Sequence, residues 1–284
     1  MNMLRMGRRT FAIAIVFFFA AIVNAQVASH VDPFLGIDGG GNTIPGPSLP
    51  FGMIKPGPDV GASQANSGWE PTGDINGFSQ THVSGTGGGP KYGNILVQPT
   101  TGDPEAQGYG SPRKNEQGAI GYYRVTLRRY RIDAEITTSF RAAIYRFTYP
   151  TARQSNILFD AGHCLSWISK AREGQRITAS TVTVVSPTEV SGSTSVTGGW
   201  NQQPNSYTVY FYAIADTPAK TWGTWRDGKL FPGSSAEAAQ PGSRTGAWLG
   251  FTTQQGQRVR LKIGISFISV EQAEAKRRWG NSRL

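Results

Sequence analysis

The sequence predicts an all-β protein: a large antiparallel β-sandwich with long Gly/Pro-rich loops and a short C-terminal helix. Three observations carry this. Gly (36) and Pro (17) together fill 53 of 284 positions, well above the roughly 12% of average usage, and both disfavour regular helix. Apolar residues alternate with polar ones over most of the second half. Charged residues are sparse at 16% while aromatics reach 11%, which excludes a coiled coil or a charged disordered tail. The single Cys excludes an internal disulfide and a multi-Cys zinc site.

Residues 1–25 read as a secretory signal peptide. Arg5, Arg8 and Arg9 precede an unbroken apolar run, Phe11–Val23, and Val23-Asn24-Ala25 offers a signal-peptidase site. Thirteen apolar residues are too few for a permanent membrane anchor. Arg8-Arg9-Thr10-Phe11 resembles a twin-arginine signal, but Ala12 is weak there and Sec export is the better reading. The protein is expected to be exported, to a periplasm or beyond the cell. Cleavage takes the net charge from +10 to +7 over 259 residues. Eight basic residues crowd between Arg113 and Arg146; alternating strand faces put most of them in solvent, and nucleic acid is not an expected partner of an exported chain.

The sandwich domain is expected over 26–268. Its first part, residues 33–121, holds 21 Gly and 11 Pro but also anchors such as Phe34, Ile54, Trp69, Phe78 and Val97. Disordered tracts lack such anchors, so the segment reads as ordered loops over short strands, and long ordered loops are usually functional. From Gly121 the period is two. Tyr123, Val125 and Leu127 alternate with Arg124, Thr126 and Arg128; Ala134, Ile136, Thr138 and Phe140 form the next face, then Ala143, Tyr145, Phe147 and Tyr149. Further strands fit Ser155–Asp160, Ile177–Val185, Tyr207–Ile214, Thr245–Thr252 and Arg258–Phe267, the last with Val259, Leu261, Ile263, Ile265 and Phe267 on one face. Antiparallel sheets packed face to face follow. Residues 269–284 read as the start of a linker helix, with Ser269 as cap and Gln272 completing a capping box, and acids early and bases late along it.

Hydrolase motifs fail. Gly77-Phe78-Ser79-Gln80-Thr81 lacks the closing Gly of a nucleophile elbow, and in Gly85-Thr86-Gly87-Gly88-Gly89-Pro90-Lys91 the Lys precedes Tyr92 rather than Ser or Thr. None of His30, His82 and His163 has metal-ligand spacing. His163, after an apolar strand, reads as a satisfied structural histidine. His82 lies in a run dense in hydrogen-bonding side chains and glycines, not far from Trp69; an indole face with polar neighbours suits a sugar, and a well-connected structural loop suits the residues equally. Glycoside hydrolysis needs two carboxyl groups. Asp32, Asp59 and Asp103 read as turn residues beside Pro. Glu70, next to Trp69, is the one acid to test, with a structural role the more common outcome.

Three runs resemble the N-terminal domain of glycoside hydrolase family 92: Val31-Asp32-Pro33-Phe34-Leu35-Gly36, Pro45-Gly46-Pro47-Ser48-Leu49-Pro50-Phe51-Gly52-Met53, and Gly77-Phe78-Ser79-Gln80-Thr81-His82-Val83-Ser84-Gly85-Thr86-Gly87. The match continues through Gly121-Tyr122-Tyr123-Arg124-Val125, Gly223-Thr224-Trp225 and Lys262–Ser269 to Ala273. The resemblance implies an inverting, calcium-dependent exo-α-mannosidase in which a β-sandwich precedes a helical (α/α)-barrel, with the site between them. It places the general acid, the general base and most calcium ligands in the helical domain, so no catalytic residue and no metal ligand is carried over. Trp69, His82 and the segments around Gly46 and Gly85 match loops of the sugar pocket; these, with Gln80, whose amide could hydrogen-bond a sugar hydroxyl, are the candidate substrate-binding residues. Departures fall at Gly40, Asn42 and Gln80, where many members have His, and in the stretch Gly88–Lys91. The expected partners are a mannose-containing glycan and the helical domain, and the domain alone is expected to be inactive. A carbohydrate-binding module without catalysis is the alternative.

Overall fold

The computed structural model describes residue 28 and residues 30–37, 42–60, 65–85, 89–165, 174–201 and 205–278, with side chains to 275. The leader expected at 1–25 lies outside these. No helix among the described residues is long and apolar enough to cross a membrane.

Sixteen strands run in chain order: β1 Gly57–Val60, β2 Ile75–Ser79, β3 Leu96–Thr101, β4 Arg113–Ala119, β5 Tyr122–Leu127, β6 Ile132–Thr138, β7 Ala142–Tyr149, β8 Ala152–Asp160, β9 Gln175–Ser186, β10 Glu189–Gly198, β11 Ser206–Ala215, β12 Thr221–Arg226, β13 Lys229–Pro232, β14 Ala236–Ala239, β15 Thr245–Thr253 and β16 Gln257–Ser266. They form a seven-stranded sheet, β1-β2-β3-β8-β15-β12-β13, and a nine-stranded sheet, β14-β9-β10-β11-β16-β7-β6-β5-β4. The two face each other across one core: Phe159 of β8 stacks on Phe211 of β11 at 6.4 Å, and Phe78 of β2 meets Tyr145 of β7 at 6.2 Å. The all-β sandwich is therefore the architecture.

Period two explains most of it. Val259, Leu261, Ile263 and Ile265 of β16 are fully buried, with Arg258 and Arg260 exposed on the other face. Two positions read as core depart from the pattern. Strand β6 stops at Thr138, where the Ser139 N–H bonds the Ala142 carbonyl at 2.8 Å, and β16 stops at Ser266. Phe140, two residues past the first end, and Phe267, one past the second, project into solvent. Strand β10, Glu189–Gly198, carries too many Ser, Thr and Gly for an alternating pattern. It exists because it pairs on both sides, with β9 and β11. Most of the basic cluster is exposed or half-buried as expected; Arg146 pairs with Glu135 across β6 and β7 at 2.5 Å.

Helix α1, Val270–Arg278, is capped by Ser269, whose Oγ accepts the Gln272 N–H at 3.2 Å. It turns back onto the sandwich, packing on β16 and β11 with Ala273 fully buried.

Candidate functional site

One end of the sandwich gathers the loops before β1, after β2 and after β8. Lys55, two residues before β1, is held by its N–H on the Gln80 carbonyl at 3.0 Å. Gly46 lies against this turn, where a Cβ would stand 2.1 Å from the Pro56 carbonyl oxygen. Only Gly permits that approach. Gly85 is exposed at φ +82°, and its N–H reaches the Asn42 carbonyl.

Beneath this rim lies a buried polar cluster. Asp59 of β1, 1% exposed, accepts three hydrogen bonds: His82 Nε2 to Oδ1 at 2.6 Å, Ser79 Oγ to Oδ1 at 3.0 Å, and His163 Nε2 to Oδ2 at 2.8 Å. The other ring nitrogen of His82, Nδ1, meets the Lys55 carbonyl at 2.8 Å. Burial pushes the Asp59 carboxyl up, but the His82 charge and the hydrogen bonds from both histidines outweigh it and hold the group below its ordinary range.

The rim encloses a cleft of about 350 Å³. Met53, Val83, Tyr92, Tyr207 and Phe267 give it apolar walls, and Lys55, Thr81, His82 and Asn94 give it polar ones. Aromatic rings continue across the end: Trp200 to Tyr92 at 6.2 Å, Tyr92 to Tyr207 at 6.0 Å, Tyr207 to Phe267 at 6.3 Å. Phe51, two residues before the cleft-lining Met53, has a fully exposed ring, and the Met53 N–H is bonded to the Phe140 carbonyl at 2.7 Å. Phe51, Tyr92 and Ile95 all adopt left-handed backbone at φ 59°, 64° and 58°. Such conformations cost bulky or β-branched residues energy and gather at functional sites.

Of the five residues expected to bind sugar, His82 lines the cleft, Gly46 and Gly85 shape its rim, and Gln80 and Trp69 face elsewhere. Gln80 is fully buried: its amide donates to the Phe78 and Ile95 carbonyls at 3.0 and 3.3 Å and accepts the Tyr145 hydroxyl at 3.0 Å, tying one sheet to the other. Trp69 is also buried. Its Nε1 donates to Glu116 at 2.9 Å, the Arg113 guanidinium covers the ring at 4.9 Å, and Phe34 packs at 5.8 Å. The indole thus has no open face. Glu70 is half-buried, and its carbonyl takes the Arg113 guanidinium.

Sequence reasoning missed Asp59 and the aromatic wall of Tyr92, Tyr207 and Phe267. The signal for Asp59 was scarcity: of only three histidines, two converge on it. Calcium, implied by the resemblance, would need carboxylates free to coordinate it. Asp59 is enclosed by imidazole donors, Asp160 by Arg244 and Tyr109, and Glu116 by Trp69 and Tyr123. Among the described residues no group of three or more His, Cys, Asp or Glu converges on a metal position. These side chains do not fit a calcium site.

Comparison with known proteins agrees with the fold. The glycosyl hydrolase family 92 N-terminal domain model matches residues 30–266. A secreted glycosidase of Arthroderma benhamiae, itself uncharacterised, is 33% identical over 142 residues, covering 46% of this chain and 18% of that protein. The family GH92 α-mannosidase BT3965 from Bacteroides thetaiotaomicron, solved with mannoimidazole, superposes with a TM-score of 0.79 at 28% identity, covering 90% of this chain and 34% of that one. The GH92 glycosyl hydrolase ccman5 gives 0.75 at 27% identity, covering 90% and 35%. This chain therefore spans about a third of those solved relatives. The two-sheet core and these matches together assign the chain to glycosyl hydrolase family 92, whose N-terminal domain it carries.

Proposed function

We propose that this chain is the substrate-facing N-terminal domain of an exported α-mannosidase acting on mannose-containing glycans, and that it is inactive alone. The observation that carries this is the cleft at one end of the sandwich, walled by half-buried Tyr92 and Tyr207 and exposed Phe267, with exposed Trp200 beside Tyr92, in a chain that spans a third of its solved relatives. Apolar walls with a few fixed polar groups are the usual make-up of a small-ligand site. Exposed aromatics at such density mark a surface that another body covers. In this reading the remaining two thirds of the enzyme dock on this end, supply the general acid and base, and hold calcium.

Within the pocket this chain's part is to bind and orient. Tyr92 and Tyr207 offer ring faces to the apolar side of a pyranose, and Lys55 and Thr81 stand at the polar wall. The signal peptide and the division into a sandwich over 26–268 and a linker from 269 belong to the same proposal, supported by the leader-like composition and the secreted relative.

Mixing the chain with the C-terminal portion of a family α-mannosidase and measuring mannose release tests the proposal. No release from either part and release from the mixture is the expected result. Turnover by the 284-residue chain alone would place the catalytic pair here and overturn it. The preformed cleft also supports a second reading, a carbohydrate-binding module without catalysis. Calorimetry with mannose and mannobiose separates the two, because a binding module holds the sugar without the second part.

A further inference from the structure

We infer that Asp59, His82 and His163 form an ionic latch that fixes the rim of the cleft, with His82 held as the doubly protonated imidazolium. Three separate stretches meet in it: the turn into β1 brings Lys55 and Asp59, the end of β2 brings Ser79 and His82, and the segment after β8 brings His163. The last lies 104 residues from Asp59 in sequence.

The protonation follows from the partners. Nδ1 of His82 faces a carbonyl oxygen and Nε2 faces a carboxylate oxygen, at 2.8 and 2.6 Å. A carbonyl cannot donate, and Asp59, whose carboxyl is held below its ordinary range, is ionised and only accepts. A neutral imidazole has one N–H and one lone pair, so either tautomer would point its lone pair at an oxygen inside a site closed to water. Ser79 Oγ, 3.2 Å from Nε2, bonds Asp59 instead. The imidazolium satisfies both acceptors and balances the buried carboxylate.

Few other titratable groups face the cluster. His163, its side chain 13% exposed, gives its Nε2–H to Asp59. Tyr145 of β7 approaches from the other sheet; burial pushes its phenol up, so it stays neutral and donates to Gln80. Lys55 contributes its carbonyl. Asp59 and His82 are then a matched pair. With both ring nitrogens engaged, His82 has no N–H left for a ligand. It is a positioning residue, holding Lys55 and Thr81 at the cleft wall. This role does not depend on what the cleft binds.

The sequence has three histidines, so the imidazole nitrogens can be read one by one in ¹⁵N-histidine-labelled protein at pH 7.5, assigned with His30→Gln and His163→Gln. The expected spectrum gives His82 two protonated nitrogens and His163 a protonated Nε2. A single protonated nitrogen on His82 overturns the proposal. In Asp59→Asn the second proton should disappear and amide exchange at Thr81 and Val83 should rise about tenfold or more. Retention of both protons in that variant also overturns the proposal, since the counter-charge would then not be Asp59. Should Asp59→Asn fail to fold, the wild-type spectrum still decides.

Discussion

Two buried aspartates, Asp59 and Asp160, solve the same problem with different cations. Both are 1% exposed, and both belong to the seven-stranded sheet. Asp160, at the end of β8, pairs with the Arg244 guanidinium, accepts the Tyr109 hydroxyl at 2.6 Å and takes the Gly162 N–H at 2.9 Å. Asp59 has two histidines and a serine. Arginine keeps its charge at any pH a protein meets, whereas imidazole charge follows its surroundings. The first cluster is therefore a fixed rivet. The second, under the cleft, is a joint whose strength depends on protonation.

The largest effect is expected at the rivet. Arg244→Leu leaves the Asp160 carboxylate buried without its cation, a change that costs about 3 kcal/mol or more. The Arg244 side chain is 32% exposed, so water reaches the gap in part and the lower end of the usual range applies. Thermal unfolding should fall by roughly 6–12 °C for a domain of this size. A loss smaller than about 1 kcal/mol would mean that Tyr109 and the Gly162 N–H suffice for Asp160, and the contrast between the clusters would collapse.

A smaller loss, about 2 kcal/mol, is expected for Asp59→Asn, and its pH dependence tests whether charge is what Asp59 supplies. The folded carboxyl of Asp59 titrates below its ordinary value of 3.8. Its stabilisation is then complete above that value and is lost as pH falls through the lower, folded one. The gap between wild type and Asp59→Asn should be full at pH 6–7 and close in acid, below about pH 4. Chemical denaturation of both proteins across that range measures it. A gap independent of pH would show packing, not charge, to be what Asp59 supplies.

These aspartates also mark how far the sequence could be read. Period two made β16 and β7 legible because their inner faces see only the core. Strand β10 was not legible, since Ser, Thr and Gly are acceptable where both neighbours are strands. Asp59 follows Pro58 and reads as a turn residue from its neighbours alone. Its role is set by a histidine 23 residues away and another 104 away. Trp69 and Gln80 looked like sugar ligands by residue type. Which way each points depends on Arg113 and Tyr145, partners that local pattern does not reveal. Side-chain direction within the motif loops came only with the fold.

The smallest effect on stability should come from Phe51, and it sharpens the comparison from the other side. Its ring is fully exposed and packs against nothing that truncation would leave empty. Phe51→Ala should therefore unfold within about 0.5 kcal/mol of wild type. Its left-handed backbone, at φ 59°, is costly for an aromatic residue, so replacement by Gly should stabilise the isolated chain by about 0.5–1 kcal/mol. A strained backbone that presents a bare aromatic ring is hard to explain by folding and easy to explain by docking. In the proposed two-part enzyme, Phe51→Ala should weaken association at least tenfold, as loss of a central aromatic anchor does. Titration of the chain against the C-terminal portion, followed by calorimetry, reads this directly. Unchanged affinity would move the docking surface away from this end, while the latch beneath it would stand or fall on its own measurements.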